Sequence, residues 1–230
     1  MLRPSAEFLI AVQAGDVALE GMLEVPLEAQ GVVLFAHGSG SSRFSPRNNF
    51  VATVLRKRRL ATLLIDLLTR AEDRDYENRF NIQLLTQRLG AVAQWIRAES
   101  GVRDLPLGLF GASTGAASAL RLAAQFGRGI CAVVSRGGRP DLVMESLPRV
   151  AAPTLLIVGG NDDLVVELNR RAYGELRSEK ELAIIPGATH LFEEPGTLQA
   201  VADRAADWFT RHLAAAQATA TAVQAQSGRG

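Results

Sequence analysis

Short runs of consecutive apolar residues recur along this chain, separated by segments with helical periodicity. Because the runs are continuous rather than alternating, they are typical of strands buried on both faces of a sheet. The segments between them repeat apolar residues about every 3.6 positions, most clearly at Ile82, Leu85, Leu89, Val92 and Ile96. Strands and helices that alternate in this way predict an α/β fold, with a mostly parallel sheet covered by helices on both faces.

The predicted elements begin with a hairpin, Phe8–Val12 and Val17–Val25, joined at the turn Ala14-Gly15-Asp16. Six further strands are predicted, at Val32–Ala36, Ala61–Ile65, Leu107–Phe110, Ile130–Val134, Thr154–Val158 and Leu182–Ile185. The intervening helices are predicted at Asn48–Arg58, Phe80–Glu99, Ala116–Phe126, Leu142–Leu147, Val165–Leu176 and Thr197–Leu213.

Length and composition fit one globular domain. The chain has 230 residues, of which 47% are hydrophobic, enough for a sizeable core. We expect a single domain over residues 1–213, followed by an Ala, Thr and Gln-rich tail over 214–230 that is a frayed helix end or disordered. The 25 Lys and Arg residues nearly balance the 24 Asp and Glu residues, which argues against a nucleic-acid or membrane partner.

Cysteine content and the start of the chain bear on the compartment. Cys131 has no second cysteine with which to pair, which fits a reducing environment. The apolar patch Phe8–Val12 is too short to span a membrane, and Glu7 and Asp16 on either side do not fit a signal peptide. We therefore expect a soluble cytoplasmic protein, either a monomer or a homodimer.

The pentapeptide Gly111-Ala112-Ser113-Thr114-Gly115 is a G-x-S-x-G pattern. It lies between the predicted strand Leu107–Phe110 and the predicted helix Ala116–Phe126. A strand, a tight turn with serine at its apex and a helix are the context in which this pattern forms a nucleophile elbow. The sequence therefore predicts Ser113 as a nucleophile, which needs a base and an orienting acid to become reactive.

The chain offers three histidines as the base. His190 directly follows the last predicted strand, and loops at the carboxyl ends of parallel strands face the active-site crevice. His212 is expected at the surface, near the end of the last helix. The acid is Asp162 or Asp163 after the strand Thr154–Val158; Asp162 is favoured because it lies closer to the strand end, and the other aspartate would cap the following helix.

An oxyanion hole is predicted from two backbone N–H groups. One belongs to Thr114, which follows the nucleophile. The other is assigned to Ser39 in the turn His37-Gly38-Ser39-Gly40, which follows the third predicted strand. We also expect His37 to contact the substrate.

Together these segments resemble the α/β-hydrolase superfamily and, within it, the dienelactone-hydrolase-like group, over about Val17 to Leu213. The resemblance implies an eight-stranded, mostly parallel sheet whose second strand is antiparallel. It also implies a triad of Ser113, Asp162 and His190. Dienelactone hydrolases proper use cysteine at the elbow, so Ser113 favours a general serine-ester mechanism over dienelactone hydrolysis.

The connection after the sixth strand has two implications. The interval Arg136–Ala152 holds one short helix, so we expect no cap domain. Arg136 leaves the sixth strand on the crevice side, where it either holds a substrate carboxylate or braces Asp66 or another loop carboxylate. The charged connection Asp66–Arg79 is either a flap over the site or a solvated loop.

The sequence thus predicts a serine hydrolase that cleaves small carboxylic esters or lactones through an acyl-enzyme, with no metal and no organic cofactor. The same triad would also serve acyl transfer, thioester or amide cleavage, or C–C hydrolysis. A weakly catalytic protein that binds a ligand in the crevice is the remaining alternative.

Overall fold

A computed structural model describes residues 6–99 and 101–227 of the chain. Its centre is one eight-stranded sheet with the strand order β1-β2-β4-β3-β5-β6-β7-β8. The strands are β1 (Ala6–Ala14), β2 (Val17–Val25), β3 (Gly31–Ala36), β4 (Leu60–Ile65), β5 (Leu107–Ala112), β6 (Ala132–Arg136), β7 (Thr154–Gly159) and β8 (Lys180–Ile185).

The hairpin and the strand directions are as predicted. β1 and β2 pair antiparallel from Ala14 opposite Val17, and the turn between them contains Gly15 at φ +67°. β2 is also antiparallel to β4, and every later pairing is parallel. The carboxyl ends of the parallel strands therefore meet at one edge, where the loops that carry the candidate site begin.

Helices cover both faces of the sheet. They are α1 (Pro46–Lys57), α2 (Ile82–Ala98), α3 (Thr114–Phe126), α4 (Asp163–Glu175) and α5 (Thr197–Ser227). Buried residues of α2, α3 and α4 pack on one face, and those of α1 and α5 pack on the other. Two cores of this kind, one on each side of a central sheet, make an α/β sandwich of three layers.

The last helix is longer than predicted, because α5 continues beyond Leu213 to Ser227. Alanine is the most frequent residue of this extension and has the highest helix propensity, whereas we expected a frayed helix end or a disordered tail after Leu213. Whether the tail frays stays a prediction, and residues 228–230 lie outside the described part of the chain.

The connection from β6 to β7 is short, as predicted. It contains one 3₁₀ segment, Pro140–Arg149, which is kinked at Val143. No cap domain therefore covers the carboxyl edge between these two strands. Among the helices of residues 6–99 and 101–227, none has both the length and the apolar character that crossing a bilayer requires.

Candidate active site

Ser113 stands alone between β5 and α3 in a conformation that L-residues rarely adopt, with φ 52° and ψ −122°. Its N–H donates to the carbonyl of Arg136 at 3.1 Å, and its own carbonyl accepts from the N–H of Ala116 at 3.1 Å. These bonds hold the sharp turn at Ser113 in place. Stored backbone strain of this kind is the mark of a nucleophile elbow.

Two glycines make this turn possible. A Cβ atom on Gly111 would lie 2.4 Å from Cα of Ala116, and one on Gly115 would lie 2.2 Å from the carbonyl oxygen of Ala36. No side chain fits at either position, so both glycines of the pentapeptide are required by the close approach of strand and helix.

Asp162 and His190 meet at the same edge of the sheet. Oδ2 of Asp162 lies 2.6 Å from Nδ1 of His190, with the aspartate mostly buried and the histidine partly exposed. Asp162 occupies the cap position of α4, yet its side chain makes no capping hydrogen bond there because it is turned to the histidine. Asp163 is the first residue of the helix.

Asn161 ties together the loops that carry this pair. Its N–H donates to the carbonyl of Ala188 at 2.9 Å, and its Nδ2 donates to the carbonyl of Gly187 at 3.1 Å. The two loops approach so closely that a Cβ on Gly159 would lie 2.5 Å from Ala188 O. Sequence reasoning missed Asn161, since nothing in the pattern signals that its partner lies 26 positions later.

Glu194 fastens the other side of the histidine loop. It accepts from the N–H of Thr189 at 3.1 Å and from the hydroxyl of Thr189 at 2.6 Å. These hydrogen bonds lower the pKa of Glu194. Phe192 is buried at φ 56°, so the chain turns back into the core directly after His190. The backbone on both sides of His190 is thus fixed.

The histidine lies beside the elbow but does not yet bond to the serine. A Cβ atom on Gly137 would lie 3.4 Å from Cε1 of His190, and Gly137 directly follows the residue whose carbonyl binds Ser113 N–H. Within the described residues, no hydrogen bond joins Ser113 Oγ to His190. Catalytic hydrogen bonds are often long without substrate and tighten in the Michaelis complex, so this geometry remains compatible with a triad.

The loop after β3 lies against the elbow. A Cβ on Gly38 would lie 3.0 Å from Cβ of Ser113, and the N–H of Ser39 donates to Oγ1 of Thr114 at 2.9 Å. Thr114 is the first residue of α3, so its own N–H belongs to the positive end of that helix. The structure therefore brings the loop of Ser39 and the N–H of Thr114 next to Ser113, with the Ser39 N–H itself bonded to Thr114 Oγ1.

His37 is held by the backbone at both ring nitrogens. Nε2 accepts from the N–H of Leu67 at 3.2 Å, and Nδ1 lies 3.0 Å from the carbonyl of Gly38. The ring is therefore neutral and protonated on Nδ1. Burial lowers the pKa of His37, which favours the same neutral form. Substrate contact by His37 stays a prediction.

A cavity of about 210 Å³ opens beside this loop. One wall is formed by the loop after β3, including His37 and Phe44, and the other by the segment after β4, including Leu68, Arg70 and Asp73. The charged connection that we treated as a flap or a solvated loop therefore forms a side wall of the crevice.

Arg136 is placed differently from our expectation. It is the last residue of β6 rather than a loop residue, and it is only 8% exposed. It does not brace Asp66, whose carboxylate bonds to the backbone N–H and the guanidinium of Arg43. That alternative is wrong, because a pairing within the neighbouring loops satisfies Asp66. Substrate binding by Arg136 stays a prediction.

His212 is also less exposed than predicted. Its side chain is 10% exposed and packs against Trp208, with ring centroids 4.5 Å apart.

Within the described chain, His, Cys, Asp and Glu residues form no cluster of three or more that could hold a metal ion.

An elbow serine after β5, an aspartate after β7 and a histidine after β8 follow the order found in α/β-hydrolases. The family model described as alpha/beta hydrolase domain matches residues 29–218. The chain belongs to this family and is dienelactone-hydrolase-like within it.

Solved structures show the same fold. A dienelactone hydrolase from Anabaena variabilis is 52% identical, with a TM-score of 0.89, and the match covers 91% of this chain and 99% of that one. The protein Est1E from Butyrivibrio proteoclasticus shares the fold at 15% identity, with a TM-score of 0.78 over 90% of this chain and 99% of its own. The family match and these neighbours show that the chain has the α/β-hydrolase fold.

Two curated relatives from Mycobacterium tuberculosis bear the provisional name phosphoribosyl transferase. Each is 54% identical over 204 residues, which is 89% of this chain and 46% of the relative. The chain thus spans about half the length of these relatives.

Proposed function

We propose that this protein is a serine hydrolase that cleaves small carboxylic esters or lactones. The observation that carries the proposal is the 2.6 Å contact between Asp162 and His190 at the edge where the strained Ser113 turn projects. A carboxylate on Nδ1 leaves Nε2 of His190 to accept the serine proton, and it stabilises the imidazolium that forms.

The proposed reaction has two halves. Ser113 Oγ attacks the ester carbonyl while His190 takes its proton. The N–H groups of Thr114 and Ser39 bind the oxyanion, for which the Ser39 N–H exchanges Thr114 Oγ1 for the substrate oxygen. His190 then protonates the leaving alkoxide, which departs and leaves an acyl-enzyme. Water attacks the acyl group with His190 again as the base, and the acid product is released from Ser113.

The provisional name of the M. tuberculosis relatives does not favour another chemistry for this chain. The matched segment is 46% of each relative, so the name describes a protein with more than this domain. The dienelactone hydrolase from A. variabilis is matched over 99% of its length, which makes ester chemistry the better supported inference.

The test measures hydrolysis of p-nitrophenyl acetate and butyrate by the purified protein. Ser113→Ala is expected to lower kcat by at least about 10⁴-fold. Ser118→Ala is the matched control, because Ser118 is a buried serine of α3, the helix that Ser113 precedes, and the mechanism does not use it. Full activity in Ser113→Ala would rule out the assignment.

Labelling with a fluorophosphonate separates hydrolases from binding proteins on this fold. The wild-type protein and Ser118→Ala are expected to be labelled, and Ser113→Ala is not. An unlabelled wild-type protein that also lacks activity across a panel of ester chain lengths would favour the ligand-binding alternative.

A further inference from the structure

Arg136 is a buried charge without a partner. Its Nη1 is fully buried and donates no hydrogen bond within the described chain, and no described carboxylate forms an ion pair with it. Burial lowers the pKa of Arg136 to about 10, so the side chain still carries its charge at neutral pH. An unpaired buried charge costs several kcal/mol in general, unless some other group compensates it.

The sheet places Arg136 next to the catalytic residues. In the strand register, Arg136 lies opposite Ala112 of β5, which precedes the nucleophile, and opposite Ile157 of β7 on its other side. Both neighbours belong to the core under α1 and α5, so the Arg136 side chain projects to that face. Its carbonyl binds the N–H of Ser113 at 3.1 Å.

A second cation faces the same place. Arg47, in the first turn of α1, lies close enough for its charge to lower the pKa of Arg136 further. Arg47 Nη1 bonds to Glu193 at 3.0 Å, but its Nε is also buried without a partner. Glu193 compensates the charge of Arg47, whereas no described carboxylate compensates that of Arg136, and a bound anion relieves the repulsion between the two cations.

We propose that Arg136 and Arg47 form an anion-binding site beside the catalytic residues, which takes the carboxylate or phosphate group of an anionic ester substrate. The substrate part of this inference rests on the proposed function. An anion there satisfies N–H groups that the chain leaves unpaired, and Glu193, the ion-pair partner of Arg47, follows His190 by three residues. Esters with a second, negatively charged group are then the preferred substrate class.

Binding is tested without any assay of hydrolysis. Inorganic phosphate, acetate and succinate are titrated separately while Tm is measured at constant ionic strength. An anion at about five times its Kd is expected to raise Tm of the wild-type protein by about 2–4 °C. A larger effect of phosphate assigns the site to a phosphate group, and a larger effect of acetate or succinate assigns it to a carboxylate.

Variants decide whether Arg136 is responsible. Arg136→Met is expected to lose the anion effect and, without anion, to be at least as stable as wild type, because an apolar side chain removes the unpaired charge. Arg171→Met is the charge-matched control, since Arg171 lies on the surface and pairs with Glu167. If Arg136→Met does not fold, Arg47→Met is expected to show a weakened anion effect.

Kinetics test the substrate class. For a p-nitrophenyl ester with a free carboxylate, Arg136→Met is expected to lower kcat/KM by about 10- to 100-fold, while a neutral ester of matched acyl length changes by less than about twofold. Equal losses on both esters, or equal anion effects on Tm in wild type and Arg136→Met, would overturn the inference. An anion effect in a wild-type protein that hydrolyses no ester would leave the site standing and refute the proposed function alone.

Discussion

The backbone N–H of Ser39 donates a hydrogen bond of 2.9 Å to Oγ1 of Thr114. This bond joins the loop after β3 to the first residue of α3, across 75 positions of sequence. The bond holds the Ser39 loop against α3, and it also occupies the Ser39 N–H, which can bind an oxyanion only after it releases Thr114 Oγ1. The N–H of Thr114, fixed at the start of α3, needs no such exchange when charge develops on the substrate oxygen.

Thr114→Val is expected to lower kcat about 10-fold with little change in KM. Valine keeps the shape of threonine but removes the acceptor, so the Ser39 loop loses its fixed position. The loss falls on kcat because the oxyanion contact is made mainly in the transition state. Thr114→Ser retains the hydroxyl and is the control. Steady-state kinetics with p-nitrophenyl butyrate provide the measurement, and an unchanged kcat in Thr114→Val would contradict this role.

Asp162→Asn is expected to lower kcat by about 10³- to 10⁴-fold. Asparagine preserves the shape of the side chain but cannot stabilise the imidazolium or hold the required tautomer of His190. Asp163→Asn is the matched control in the adjacent position. It removes a negative charge from the first turn of α4, which costs about 0.3–1 kcal/mol of stability but leaves kcat near the wild-type value. Comparable kcat losses in both variants would show that the acid had been assigned wrongly.

Much of the fold could be predicted because the local signals agree with the global structure. The continuous apolar runs predicted the six strands β3 to β8, and the turn around Gly15 predicted the hairpin of β1 and β2. The pentapeptide around Ser113 could be interpreted because a strand and a helix flank it, and the observed φ of 52° at Ser113 agrees with a nucleophile elbow. Periodicity and turn chemistry are local properties, so a single sequence reveals them.

The remaining features depend on contacts between distant residues, which no local pattern encodes. We ended the sixth predicted strand at Val134, yet β6 continues and buries both Ser135 and Arg136. Asn169 was missed for the same reason. It is fully buried in α4 and donates to the carbonyl of Gly138 at 3.0 Å, which supports the loop after β6.

Gly115→Ala is expected to destabilise the protein by about 3 kcal/mol or more, because the new Cβ would lie 2.2 Å from a backbone oxygen that cannot move freely. Gly174→Ala is a control of opposite sign. Gly174 lies in α4 with open space where a Cβ would stand, so alanine is expected to stabilise by about 0.5–1 kcal/mol. Urea unfolding measures both. A Gly115→Ala variant with the same free energy of unfolding as wild type would contradict the close approach of α3 to the end of β3.

The neutral form of His37 makes stability depend on pH. Burial lowers the pKa of His37 below its ordinary value of 6.5, even though the Gly38 carbonyl and Asp66 act in the opposite direction. Below pH 6.5 the unfolded chain therefore binds a proton that the folded protein does not. The free energy of unfolding contributed by His37 is fully present above that pH and is lost as the pH falls.

His37→Gln is accordingly expected to lose less stability than wild type between about pH 7.5 and pH 5.5. Protonation of wild-type His37 would place a hydrogen on Nε2, which accepts from the N–H of Leu67, so the acid form breaks that bond. His212→Gln is the control, because burial also lowers the pKa of His212. This variant keeps the contribution of His37 to the pH dependence of stability. Carboxyl groups with lowered pKa, such as Glu72, act only below their ordinary value of 4.5, outside this window. Urea unfolding of the three proteins at each pH gives the free energy of unfolding. If that free energy falls equally with pH in wild type and in His37→Gln, His37 takes up its proton in the folded state as readily as in the unfolded chain.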